Sequence, residues 1–116
     1  MSYILKIFFA LILIVLFSIN LAFSKSIRIA ILGDSLIAGY GLEEKNGFIK
    51  KLENKIQLTR DNINVINGGV SGETSSGLKN RLNWVLEDKY DGVIIATGSN
   101  DALRGISPNT LELQVF

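Results

Sequence analysis

Residues 25–116 predict an α/β domain built on a doubly wound parallel sheet, and three observations predict it. The runs Ile27–Leu32, Ile63–Ile66 and Val93–Thr97 are apolar at consecutive positions and rich in β-branched residues, as strands buried on both faces are. The two segments between them carry apolar residues at helical spacing. The alternation of strand and helix then calls for right-handed crossovers joining parallel strands.

The elements follow in order. Ile7–Phe17 is uninterrupted apolar sequence after Lys6, about the length of a signal-peptide core and short of the roughly 20 residues a spanning helix needs. Ala22-Phe23-Ser24 sets small residues two positions apart, so cleavage is expected after Ser24. Residues 1–24 then read as a signal peptide and the product as periplasmic or secreted. The rival reading is a membrane anchor over residues 7–23, because Ile19, Leu21 and Phe23 extend the apolar stretch. After the first strand, Gly47–Leu58 places Phe48, Ile49, Leu52 and Ile56 on one helical face. Ser75–Asp88 carries the stripe Leu78, Leu82, Val85 and Leu86, with Lys79, Asn80, Arg81, Asn83 and Glu87 largely opposite. Ser107-Pro108 reads as an N-cap and first helical proline opening a third helix.

Composition narrows the chemistry. Lys6 apart, eleven basic residues balance eleven acidic ones, with no basic block, so nucleic acid is not an expected partner. There is no cysteine, hence neither a disulfide framework nor lipid attachment at the leader junction. Without histidine or cysteine, a zinc or iron–sulfur site has almost nothing to be built from, and no metal or cofactor is expected. Neither the G-x-G-x-x-G nor the phosphate-loop spacing follows Gly33, and Ser71 lacks the G-x-S-x-G context.

In parallel sheets of this kind, reactive residues gather beyond the carboxyl ends of the strands. Those loops are Gly33–Gly41, Asn67–Gly77 and Gly98–Gly105, all rich in Gly, Ser, Asn and Asp. Gly33 lets the chain turn sharply, and Ser35 falls where a helix begins, its own N–H free of helical bonding. Asp34 and Ser35 fit a simple cap and turn equally well. Gly72 suits close approach of backbone to a substrate, and also an ordinary turn in which Glu73-Thr74 opens the next helix. Asn100 offers an amide donor and Asp101 a carboxylate, although a loop asparagine commonly serves its own turn.

Taken together, the three loops resemble the blocks of the SGNH, or GDSL, hydrolase family. Within that family the sequence most resembles the secreted bacterial branch of thioesterase I, lysophospholipase L1 and arylesterase. Gly33-Asp34-Ser35-Leu36 is similar to the first block and Gly39-Tyr40-Gly41 extends it; Asn67–Ser75 is similar to the second, and Gly98-Ser99-Asn100-Asp101 to the third. Ser99 stands where the family more often has glycine, and Leu103-Arg104-Gly105 continues as in that branch. The resemblance implies a three-layer α/β/α flavodoxin-like sheet with about three of five strands present. It makes residues 25–116 the amino-terminal part of the hydrolase domain. It also implies Ser35 as nucleophile and oxyanion-hole N–H donor, Gly72 and Asn100 as further oxyanion donors, and Asp34 and Asp101 in support.

The family's base and orienting acid come from a later Asp-x-x-His block that this sequence does not contain. Three explanations stand: an amino-terminal portion of a longer hydrolase, a truncated product, or a different base among Asp34, Glu73 and Asp101. The last is disfavoured, since a carboxylate near pKa 4 accepts a serine proton poorly at neutral pH. The 116 residues alone are therefore expected to be nearly inert. The expected activity is hydrolysis of acyl esters or thioesters, lysophospholipids among them, through an acyl-serine intermediate. The alternatives are a carbohydrate or cell-wall O-acetyl esterase of the same family and a non-catalytic flavodoxin-like module.

Overall fold

The structure is a computed structural model and describes residues 3–19 and 25–110. Helix α1, Tyr3–Ile19, contains the apolar run Ile7–Phe17. Among the described residues, no helix is long and apolar enough to cross a membrane. The expected cleavage point falls between residues 20 and 25, outside the described residues. Beyond it, a three-stranded parallel sheet runs in the order β2-β1-β3. Strand β1, Ile27–Gly33, is central; β2, Ile63–Gly69, pairs with it from Ile27↔Ile63 to Gly33↔Gly69. On its other side β3, Gly92–Ala96, pairs from Ile29↔Gly92 to Gly33↔Ala96.

The continuous apolar run of β1 is explained by what lies on each face, because successive side chains point to opposite sides. Ala30 and Leu32 pack with Leu78 and Val85 of α4, Ser75–Leu86, with Ile66, Leu82 and Tyr90 at the margin. Ile31 points the other way, onto Val65, Ile37 of the short helix α2 (Ser35–Ala38) and Ile49 of α3 (Phe48–Gln57), flanked by Leu52 and Ile56. Helices thus cover both faces of β1, which makes the three α/β/α layers. Leu32 is 1% exposed; at such sites a leucine contributes about 2–5 kcal/mol, judged by the cost of truncating it to alanine.

Five apolar positions depart from the sequence expectation. Val93, Ile94 and Ile95 of β3 are 36–51% exposed, although their run reads as buried on both faces. Strand β3 has β1 on one side only, and among the described residues no element packs beyond it. Phe48 and Leu86 lie at the rims of their helical stripes and are exposed rather than in the core. Residues 108–110 are helical, in keeping with a helix opened by Pro108, and the rest of that segment lies outside the described residues.

The chain passes from β1 through α3 to β2 on one side, then through α4 to β3 on the other. The direction of winding therefore reverses between β1 and β3. Ligands of open α/β sheets bind at such a reversal, beyond the strands' carboxyl ends, and Gly33–Ser35 and Ala96–Asn100 lie there.

Candidate active site

The first loop is short because a helix starts at once. Asp34 caps α2: its Oδ1 accepts the N–H of Leu36 at 2.9 Å, and Gly39 ends the helix in the left-handed conformation at φ 76°. Ser35 is thereby the first helical residue, half-buried, with its carbonyl accepting the N–H groups of Gly39 and Tyr40. Gly33 is required for space rather than for the turn expected from sequence. A Cβ there would lie 2.5 Å from the Ala96 carbonyl oxygen and 2.6 Å from Ile37 Cγ1.

The second loop leaves the end of β2 and delivers α4. Asn67 Oδ1 accepts the Gly69 N–H at 3.0 Å, and Val70 N–H donates to the Gly33 carbonyl at 2.8 Å. Gly72 sits at φ 80°, a region that side-chain-bearing residues rarely adopt. Thr74 caps α4 by accepting the Gly77 N–H.

The third loop contains a helix that the sequence reading treats as loop: Gly98, at φ 116°, opens α5, Ser99–Leu103. Helix α5 stitches the three loops together. Ser99 Oγ donates to Asp34 Oδ2. Asn100 Nδ2 donates to the Glu73 carbonyl at 3.0 Å, and Arg104 Nη2 to the Gly72 carbonyl at 2.9 Å. Asp101 accepts both the Ser75 N–H at 2.8 Å and the Ser75 hydroxyl at 2.6 Å. Ser35 and Asn100 are thus the chain neighbours of two residues in direct contact, and Gly72 is tied to the same helix. A cavity of about 250 Å³ lined by Asp34, Leu36, Ile37, Ala96, Thr97 and Ser99 opens beside this junction.

Sequence reasoning missed the partners of three residues, Arg81, Ser99 and Ser75. Arg81, assigned there to the polar face of its helix, turns inward instead. Its Nε and Nη2 bind the two carboxylate oxygens of Glu73 at 2.6 Å each, and Nη2 also reaches the Gly68 carbonyl at 2.7 Å. The signal available in the sequence was the eight-residue Glu73–Arg81 spacing, about two helical turns across an N-terminus. The Ser99–Asp34 and Ser75–Asp101 contacts join residues 65 and 26 apart and leave no local pattern.

These bonds also bear on the carboxylates considered as bases. Asp34, Glu73 and Asp101 are each engaged by a donor in the web. Burial works against the charge of Asp101, but the Ser75 hydroxyl and N–H, helped by the Arg104 guanidinium, outweigh it and hold the carboxyl below its ordinary range. A carboxyl lowered on folding stabilises the fold above its unfolded value and loses that contribution as pH falls through the folded one. Asp101→Asn is therefore expected to cost on the order of 1–3 kcal/mol near neutral pH. The cost should shrink below the unfolded value of about 3.8. Urea unfolding of both proteins across pH 3–7 checks it; a pH-independent difference would assign the loss to shape alone.

Residues 31–115 match the model of the GDSL-like lipase/acylhydrolase family. The chain belongs to that family. Among GDSL-like relatives, it is 33% identical over 100 residues to an arylesterase of Vibrio mimicus, covering 85% of this chain and 50% of the relative. It is 36% identical over 83 residues to thioesterase 1/protease 1/lysophospholipase L1 of Escherichia coli, covering 71% of this chain and 38% of that protein. The crystal structure of AlinE4, an SGNH-hydrolase family esterase, superposes with a TM-score of 0.73 at 36% identity, over 81% of this chain and 51% of that one. The chain thus spans about half or less of the length of these relatives. The likeness to AlinE4 bears out the α/β fold expected from the sequence, a parallel sheet consistent with an incomplete flavodoxin-like fold.

Proposed function

We propose that this chain carries the nucleophile and oxyanion donors of a serine ester and thioester hydrolase. The observation that supports it most is the web from α5, which ties the loop of Ser35, the loop of Gly72 and Asn100 at the winding reversal of the sheet. Ser35 attacks the acyl carbonyl. The N–H groups of Ser35 and Gly72 and the amide of Asn100 receive the negative charge that develops on the carbonyl oxygen. Asn100 has the capacity for both of its bonds, since a carboxamide carries two N–H donors and one already holds Glu73. Donors fixed in advance are effective because they need no reorganisation as the charge appears.

The proton of Ser35 requires a base, and the sequence holds no histidine. In this proposal the base and its orienting acid come from polypeptide outside these 116 residues. The likeness to an arylesterase and to a thioesterase/lysophospholipase suggests aryl esters, acyl thioesters and lysophospholipids as substrates. The experiment is fluorophosphonate labelling of the gene product expressed to its own stop codon, followed by peptide mapping. Adduct on Ser35 and none on Ser71 is expected. Failure of Ser35 to react while the protein is folded would overturn the assignment.

For the leader, the proposal is export with cleavage after Ser24. Amino-terminal sequencing of the protein recovered from outside the cytoplasm should begin at Lys25. Recovery of uncleaved protein from the membrane fraction would favour the anchor.

A further inference from the structure

The two N–H donors assigned to Gly72 and Asn100 sit on either side of Glu73: Gly72 precedes it and Asn100 binds its carbonyl. What fixes Glu73 fixes both. Its carboxylate side chain is 7% exposed and is held by Arg81, itself 20% exposed, through two bonds of 2.6 Å. The same guanidinium binds the Gly68 carbonyl, at the carboxyl end of β2. One rigid group therefore pins the second loop at both ends, the last residues of the strand and the residue before the α4 cap. Between the pins lies Gly72, whose φ of 80° a less constrained loop would not hold uniquely.

We infer that Arg81 is a positioning residue for the oxyanion site, acting through Glu73 on Gly72 and Asn100 without touching substrate. The inference rests on the proposed hydrolase reading. A planar fork suits the task, because it places two parallel N–H groups on a carboxylate and a further N–H on the carbonyl. Lysine keeps the charge but has no such fork. The near-burial of the pair raises the cost of leaving either charge alone, so the conservative variants are the informative ones.

The test uses the gene product expressed to its own stop codon. Arg81→Lys is expected to lower kcat for an aryl ester by about 10–10²-fold, the cost of a small misplacement transmitted from outside the chemistry. KM should stay within about twofold, since donors to a developing charge act on the transition state rather than on ground-state binding. The decisive arm is the double variant with Asn100→Ala. If Arg81 acts through the oxyanion donors, Arg81→Lys costs less in that background than alone, the remainder being what it transmits to Gly72. Glu73→Gln should repeat the pattern and provides a second route if Arg81→Lys folds poorly, as urea unfolding reports. Unchanged kcat in both variants, or the same fold loss with and without Asn100, would overturn the inference. Fluorophosphonate labelling of Ser35 in the parent separates this failure from failure of the hydrolase reading: labelling intact with kcat indifferent to Arg81 rejects the clamp alone.

Discussion

Ser35→Ala is expected to abolish turnover of aryl esters and thioesters by the full gene product, with a loss in kcat on the order of 10⁶, the usual cost of removing a serine nucleophile. The fold should survive the change. Alanine is the best helix former and Ser35 occupies the first position of α2. The cap on that helix is the Asp34 carboxylate, which the substitution leaves in place on the Leu36 N–H. The backbone N–H of residue 35 also remains, so what is lost is the hydroxyl alone. Initial rates on a nitrophenyl ester, with urea unfolding as control, check the result. Retention of the parental rate by a folded variant would remove Ser35 from the chemistry and with it the acyl-serine intermediate.

For Asn100→Ala the expected loss is smaller and of a different kind, about 10²–10³-fold in kcat, as for other single oxyanion donors. The side chain also braces Glu73, so some stability goes with it, about 1 kcal/mol for one neutral hydrogen bond. Distinguishing the two effects is straightforward. A destabilised but correctly assembled site loses activity on warming and recovers it on cooling, whereas a missing donor slows the reaction at every temperature below the unfolding transition. The acylation rate, read from the burst with an activated ester, should fall along with turnover. An unchanged burst rate would mean that the Asn100 amide serves only to hold the second loop.

Much of the fold was legible because local periodicity and burial agree. The alternate faces of β1 explain why Ala30, Ile31 and Leu32 are all apolar, and the helical stripes of α3 and α4 name most of the residues that cover them. The three loops could be located from strand ends alone. The sheet order could not: whether β3 joins the free side of β1 or of β2 leaves no trace in either strand's composition. Strand β3 was misjudged for the same reason, since Val93, Ile94 and Ile95 look identical in a central and an edge strand. The candidate loops were legible in their glycines, serines and asparagine, and the bonds that hold those loops together were not. Arg81 looked like one more solvated charge, because whether a long side chain turns inward depends on a carboxylate eight residues away and a carbonyl on another element.

The central strand is the earliest strand to be made, and this sets an order of events. Residues 27–33 find one neighbour at 63–69 and the other only at 92–96, and Asp34 meets its Ser99 partner later still. Closing such distant contacts is slow compared with forming a helix. A growing polypeptide therefore carries Ser35 without the third loop beside it until residues 96–101 have been made. On the proposed reading, that hydroxyl has no oxyanion donors to work with until the last of these pieces is in place, so chain topology alone sets when the site can form.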